Sequence, residues 1–132
     1  EVHPDGRCRG VDAAHSYAAI VRADGTAEQM RFPNGGTMVG SFEGVRYEAD
    51  EFVLCPGDRV VLFSDGVAEQ RARSGARLCA QYHESPGAVL DALAGSRDAD
   101  DDVRRVLELL QRHADGLPYD DDVTIASIAF VP

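Results

Sequence analysis

The chain has 132 residues, 44% of them hydrophobic, and a formal net charge of -10. Its length makes one domain or a piece of one, with apolar content ordinary for a globular core. The acidic balance argues against nucleic-acid or anionic-membrane partners, whose phosphates it would repel, and no apolar run approaches a membrane span.

The first half reads as β-structure. The segments "SYAAIVR" (16–22) and "AEQMRF" (27–32) flank Asp24-Gly25, a dipeptide suited to a tight hairpin turn. "NGG" at 34–36 is a second break, and "VRYEADEFVL" at 45–54 has strand-like residues. "CPGD" at 55–58 makes a turn before the apolar run from Arg59 to Ser64, which predicts a fully buried strand.

The second half changes period. "SPGAVLDALAG" offers Ser85 as an N-cap, Pro86 at the first helical position and Gly95 as a stop. "DADDDVRRVLELLQRHADG" puts Val103, Val106, Leu107 and Leu110 on one helical face. Its aspartates crowd the N-terminus, where the macrodipole favours them. The closing "DDDVTIASIAF" alternates with apolar residues on both faces, which predicts a strand buried on both sides. The reading is α+β: antiparallel strands, then helices, then one returning strand.

Two acidic sites stand out. Asp24-Gly25 is a turn, because strand-like sequence follows it. Asp65-Gly66 is followed instead by polar, arginine-rich "VAEQRARSG", so a strand delivers Asp65 to its C-terminal end, where rigid scaffolds carry functional groups. Asp120-Asp121-Asp122 is by composition a solvated loop, yet it enters an apolar strand, which predicts that at least one carboxylate is carried toward the core. If Asp65 met one of these, two carboxylates about 4 Å apart would repel by roughly 4 kcal/mol at an effective dielectric of about 20. Such a site calls for a cation or a shared proton. With oxygen donors alone, the cation is magnesium or manganese before zinc.

Other signals fall away. The run from Asp98 lacks the glycine and final glutamate of a calcium loop, and Ser64 lies in no G-x-S-x-G elbow. The four histidines are scattered. Cys8, Cys55 and Cys79 form no CxxC pair, which fits free thiols in a reducing cytoplasm. All thirteen basic residues are arginine, more a compositional bias than a binding patch.

"LCPGDRVVLFSDGVAEQR", followed after two helices by "DDDVTIASIAF", resembles the metal-dependent type 2C serine/threonine phosphatases (PPM), in their bacterial SpoIIE-like branch. "VDAAHSYAAIVRADG" at 11–25 is similar to that family's N-A-G-H-x-P hairpin, departing at Asp12, Ala14, Ser16 and Ala18. The resemblance implies an antiparallel β-sandwich flanked by helices, four layers in all, of which residues 1–132 are the C-terminal portion. It implies a two-metal centre holding Mn2+ or Mg2+, with Asp65 and Asp121 as ligands and Asp122 in support. Gly66, Glu69 and His15 match positions of structural role. The family's early G-D-x-x-D ligands have no match here, so they are expected upstream of Glu1, and the sheet edges are expected to lack partners.

The implied activity is hydrolysis of phosphoserine or phosphothreonine on a partner protein in bacterial signalling, for example an anti-sigma-factor antagonist. Water activated between the two metals would attack phosphorus in line. Upstream sensor domains are expected in such a protein. The alternative is a catalytically inactive module of the same fold that binds a signalling partner.

Overall fold

The computed structural model describes residues 1–79 and 87–131. Its elements are β1 (Arg7–Gly10), β2 (Ala18–Val21), β3 (Ala27–Gln29), β4 (Asp50–Val53), β5 (Arg59–Phe63), α1 (Asp65–Ala68), α2 (Gly87–Leu93), α3 (Ala99–Ala114) and β6 (Ile125–Ala129). The expected caps Ser85 and Pro86 lie outside the described residues. No helix among those described is long and apolar enough to cross a membrane.

Turn chemistry sets the strand boundaries. Gly25 adopts φ +86 and its N–H bonds the Arg22 carbonyl at 2.9 Å, closing the β2–β3 hairpin where Asp24-Gly25 predicts it. Gly57 adopts φ +87 inside the 55–58 turn, which returns the chain from β4 into β5. Of the strand-like residues at 45–54, only Asp50–Val53 pair as a strand.

β3, β2, β5 and β6 form one antiparallel sheet in that order, and β1 and β4 form a separate antiparallel ribbon. Period-two alternation then sorts the side chains into two cores. Ala19, Val21, Val61 and Phe63 face Val89 and Leu93 of α2 and Val106 of α3. Ala18 and Ile20 point the other way and join Cys8, Met30 and Leu54, with Phe52, Val60 and Phe130 against them. The chain therefore builds three layers: helices, a four-stranded sheet and a two-stranded ribbon. This is the mixed α+β, antiparallel architecture expected.

Two burial expectations are corrected. β5 is buried only on its helix-facing side, since Leu62 on the other face is 37% exposed. The ribbon's core reaches Val60 but not Leu62. β6 is an edge strand rather than a doubly buried one. It pairs with β5 alone, and on the face whose end Phe130 packs against the ribbon core, Ile128 is 59% exposed.

α3 runs for 16 residues, capped by the Asp98 carboxylate on the Asp101 N–H at 2.8 Å and ended by Asp115 in the left-handed region. Its fully buried stripe is Asp102, Val106, Leu110 and Ala114, with Val103 and Leu107 half-buried. The stripe includes an aspartate because Arg59 of β5 reaches it. Arg59 Nε donates to Asp102 Oδ2 at 2.7 Å, and Ser96 and Ser127 complete the carboxylate's partners. Helix-terminal charge alone does not reveal this buried pair.

Candidate metal-binding cleft

Phe63 ends β5 and Asp65 opens the single turn of α1, so the strand end and the helix start meet at Ser64. Ser64 is stitched to the approach of β6 at three points. Its N–H donates to the Thr124 carbonyl at 2.9 Å, its Oγ accepts the Thr124 N–H at 3.0 Å, and its hydroxyl donates to the Asp122 carbonyl at 3.0 Å. Residues 60 positions apart are thereby held side by side, and Asp65 comes to lie next to the 120–122 run.

Gly66 permits the approach. A Cβ there would lie 2.3 Å from the Asp122 carbonyl oxygen, closer than any real side chain tolerates. Gln70, buried at the end of this turn, holds the other flank. Its Oε1 accepts the Asp120 N–H at 3.1 Å, and its Nε2 donates to the carbonyls of Arg71 at 3.0 Å and Pro118 at 3.4 Å. The Arg71 N–H in turn donates to Asp120 Oδ2 at 3.1 Å. Sequence patterns do not single out Gln70, because a buried amide's role depends on which distant segment passes beside it.

The result is an open cleft of about 190 Å3 lined by Asp65, Gly66, Glu69, Gln70, Arg71, Asp120 and Asp121. Asp65 and Asp121 share its wall. Asp65 Oδ1 accepts the Gly66 N–H at 2.9 Å, and Asp121 Oδ1 accepts the Asp122 N–H at 2.7 Å. Among the described residues the Oδ2 atom of each makes no hydrogen bond, so each offers one oxygen to the cleft. Asp122 is not part of the lining; its carbonyl faces Ser64 and Gly66 instead.

The expected descent of a carboxylate into the core does not occur. Asp65, Asp120, Asp121 and Asp122 are all exposed. The β5–β6 pairing starts only at Phe63–Ile125, so 120–122 precede the ladder and stay hydrated, avoiding the cost of burying unpaired charge. Four carboxylates against one guanidinium make the cleft electronegative and suited to a hard cation bound through oxygen. Among the described residues no three His, Cys, Asp or Glu side chains converge as a complete cation site, so the cleft fits such an ion as part of a donor set.

His15 lies outside the cleft lining. Its N–H and that of Ser16 both donate to Asp12 Oδ1 at 2.9 Å, and its ring meets Tyr17 edge-on at 5.5 Å. Burial pushes the Asp12 carboxyl up, but the Ser16 hydroxyl and these two N–H groups outweigh it and hold it below the usual aspartate range. Burial first, then the negative charges of Glu69 and Asp65, push the Tyr17 phenol up, so the field of the cleft extends to the β2 hairpin. Glu69 forms an exposed ion pair with Arg77 at 3.0 Å.

The family model described as Stage II sporulation protein E (SpoIIE) matches residues 1–130. Among solved structures, the chain is similar to the RsbU and RsbW domains of a Mycobacterium tuberculosis protein. The identity is 27% and the TM-score 0.71, over 97% of this chain and 34% of that one. It is similar to the manganese-presoaked phosphatase domain of the cell fate determinant SpoIIE from Bacillus subtilis at 16% identity and a TM-score of 0.64, covering 99% and 54%. With the SiaA-PP2C domain of Pseudomonas aeruginosa it shares 18% identity and a TM-score of 0.65, covering 96% and 47%. The last two likenesses establish the fold. The chain thus spans between 34% and 54% of the length of these three. No curated protein sequence matches it. A match over all but the last two residues, on a fold shared with phosphatase domains, places the chain in the stage II sporulation protein E (SpoIIE) family.

Proposed function

We propose that this chain is the C-terminal portion of a type 2C-like phosphatase domain and that Asp65 and Asp121 are ligands of its metal centre. The observation that carries the reading is their shared cleft. Two carboxylates far apart in the chain, one just after β5 and one on the approach to β6, line it, each with one oxygen free of hydrogen bonds among the described residues. Mn2+ or Mg2+ suits an all-oxygen site of this charge. Bound there, such cations lower the pKa of water and offset charge on phosphoryl oxygens, which is the chemistry of phosphoester hydrolysis without a side-chain nucleophile.

The chain's own contribution is positioning. The Ser64–Thr124 bonds and the Gly66–Asp122 contact hold the two carboxylates on one wall, and the Gln70 amide holds Asp120 beside them. Asp122 acts through its backbone rather than by facing the ion. The substrate is a phosphoserine or phosphothreonine on a partner protein of a bacterial signalling pathway, with an anti-sigma-factor antagonist as the specific candidate. The likeness to RsbU and SiaA-PP2C domains supports that context.

The test uses the full protein that carries this chain. Manganese titration followed by thermal melting is expected to raise the melting temperature, since an ion bound to the native state stabilises it. Asp65→Asn and Asp121→Asn are expected to abolish both that rise and phosphate release from a phosphoseryl peptide. Normal metal-dependent turnover in Asp65→Asn overturns the assignment. A manganese response without turnover in the wild type leaves a partner-binding module instead.

A further inference from the structure

Beside the carboxylates, the chain from Arg71 to Arg77 folds back as a tight turn. Arg71 and Arg77 form an antiparallel bridge, the Ala72 N–H donates to the Ala76 carbonyl at 2.8 Å, and Gly75 adopts φ +84 at the tip. This turn is pinned to the scaffold by the Leu78 N–H on the Gln70 carbonyl at 2.9 Å and by His113 Nε2 against the Ala76 carbonyl at 3.0 Å. Its three arginines do not serve alike. Arg73 pairs with Asp115, and Arg77 pairs with Glu69.

Arg71 differs from both. Of the residues lining the cleft it alone is cationic. Its backbone is fixed on both sides, through its N–H to Asp120 and its carbonyl to Gln70. Its guanidinium, by contrast, approaches Asp120 Oδ2 only to 3.9 Å, beyond hydrogen-bond reach, and among the described residues it donates no hydrogen bond. The pair is exposed, 55% and 42% for the two side chains, so it is screened and readily exchanged. A planar fork of donors on a fixed backbone, uncommitted beside a carboxylate cleft, is suited to grip phosphate through two parallel bonds.

We propose that Arg71 is a substrate-binding residue whose guanidinium holds the phosphoryl group of the phosphorylated partner at this cleft. The proposal rests on the phosphatase reading above and adds a residue and a role to it. Arg71 leaves its loose pairing with Asp120 and bonds the non-bridging phosphoryl oxygens. Asp120 stays in place because the Arg71 N–H and the Gln70 amide hold it independently of the guanidinium.

The test compares wild type with Arg71→Ala, Arg71→Lys and Arg73→Ala in the full protein with manganese. The readouts are kcat and KM for a phosphoseryl peptide, inhibition by inorganic phosphate, and the manganese-induced melting shift. In Arg71→Ala, KM and the inhibition constant of phosphate rise by roughly tenfold or more, the effect of losing the charge-assisted bonds of one guanidinium. The manganese shift stays as in wild type. Arg71→Lys recovers part of the loss, and Arg73→Ala behaves as wild type. An intact manganese shift with phosphate inhibition indifferent to Arg71, or an equal loss in Arg73→Ala, overturns this proposal alone. A wild type without any manganese response overturns the cleft reading and this proposal with it.

Discussion

The carbonyl oxygen of Asp122 lies where a side chain on Gly66 would have to go: a Cβ there would be 2.3 Å away. The contact seals the junction between the end of β5 and the approach to β6. Gly66→Ala must displace the 120–122 backbone, because the obstacle is main chain and cannot rotate aside. The expected loss is about 1–3 kcal/mol of stability, typical of overpacking, together with weaker manganese binding. Urea melts of the variant with and without manganese check both, and a wild-type midpoint contradicts the steric account.

Gln70 supports the same junction by hydrogen bonds rather than by contact. Gln70→Leu keeps the volume but strands the Asp120 N–H and the carbonyls of Arg71 and Pro118. Unsatisfied groups of this kind cost about 1–3 kcal/mol. Amide exchange at Asp120 is expected to speed up more than exchange in β5. Uniform acceleration across both would show that Gln70 stabilises the fold generally and not this flank.

The Arg59–Asp102 pair ties β5 to α3 with both side chains buried, at 7% and 0% exposure. Asp102→Ala leaves Arg59 charged and unpaired inside, and its expected cost is about 3–5 kcal/mol. The double variant Arg59→Met with Asp102→Leu is expected to recover most of that loss, since it removes both desolvated charges. Chemical denaturation of the three proteins measures the coupling. Additive losses in the double variant would remove the pair's special status.

Acid should weaken this fold through identifiable carboxylates. Burial pushes Asp58 up, but the Cys55 N–H, the Arg22 guanidinium and the Ala23 N–H outweigh burial and hold it below its ordinary value of 3.8. The unfolded chain therefore takes up the proton first as pH falls. The stability Asp58 contributes is present above about pH 4 and is lost on acidifying through its lower folded value. Asp101, held down by the Arg97 N–H and by Arg104 and Arg105, and Asp12 act with the same sign. The melting temperature is expected to drop between pH 5 and 3 by these protonations. Asp58→Asn should flatten that slope.

Ala14 sits at φ 66, a conformation that costs an L-residue with a Cβ. Ala14→Gly is expected to raise stability by about 0.5–1 kcal/mol, after allowing for glycine's greater unfolded freedom. A lower melting temperature would mean that Ala14 packs usefully despite its backbone.

Much of the fold is legible from neighbouring residues. Asp24-Gly25 marks a hairpin and 55–58 a turn between sheets because few residues adopt positive φ cheaply. The α3 segment declares itself through its apolar period and its Asp98 cap. That Asp65 and the last acidic run each stand at the end of an apolar strand is also legible, but not that the two strands are neighbours.

The sequence by itself determined the Asp24-Gly25 and 55–58 turns, helices α2 and α3 and which carboxylates stand at strand ends, because those depend on local backbone preference and periodicity. It did not reveal the single turn of α1. Tertiary structure alone decided that β6 is an edge strand, that Asp102 is buried against Arg59, and that Gln70 and Arg71 flank the cleft. Each of these is set by which distant segment lies alongside. Sheet order and side-chain reach, not neighbours in the chain, fix that choice.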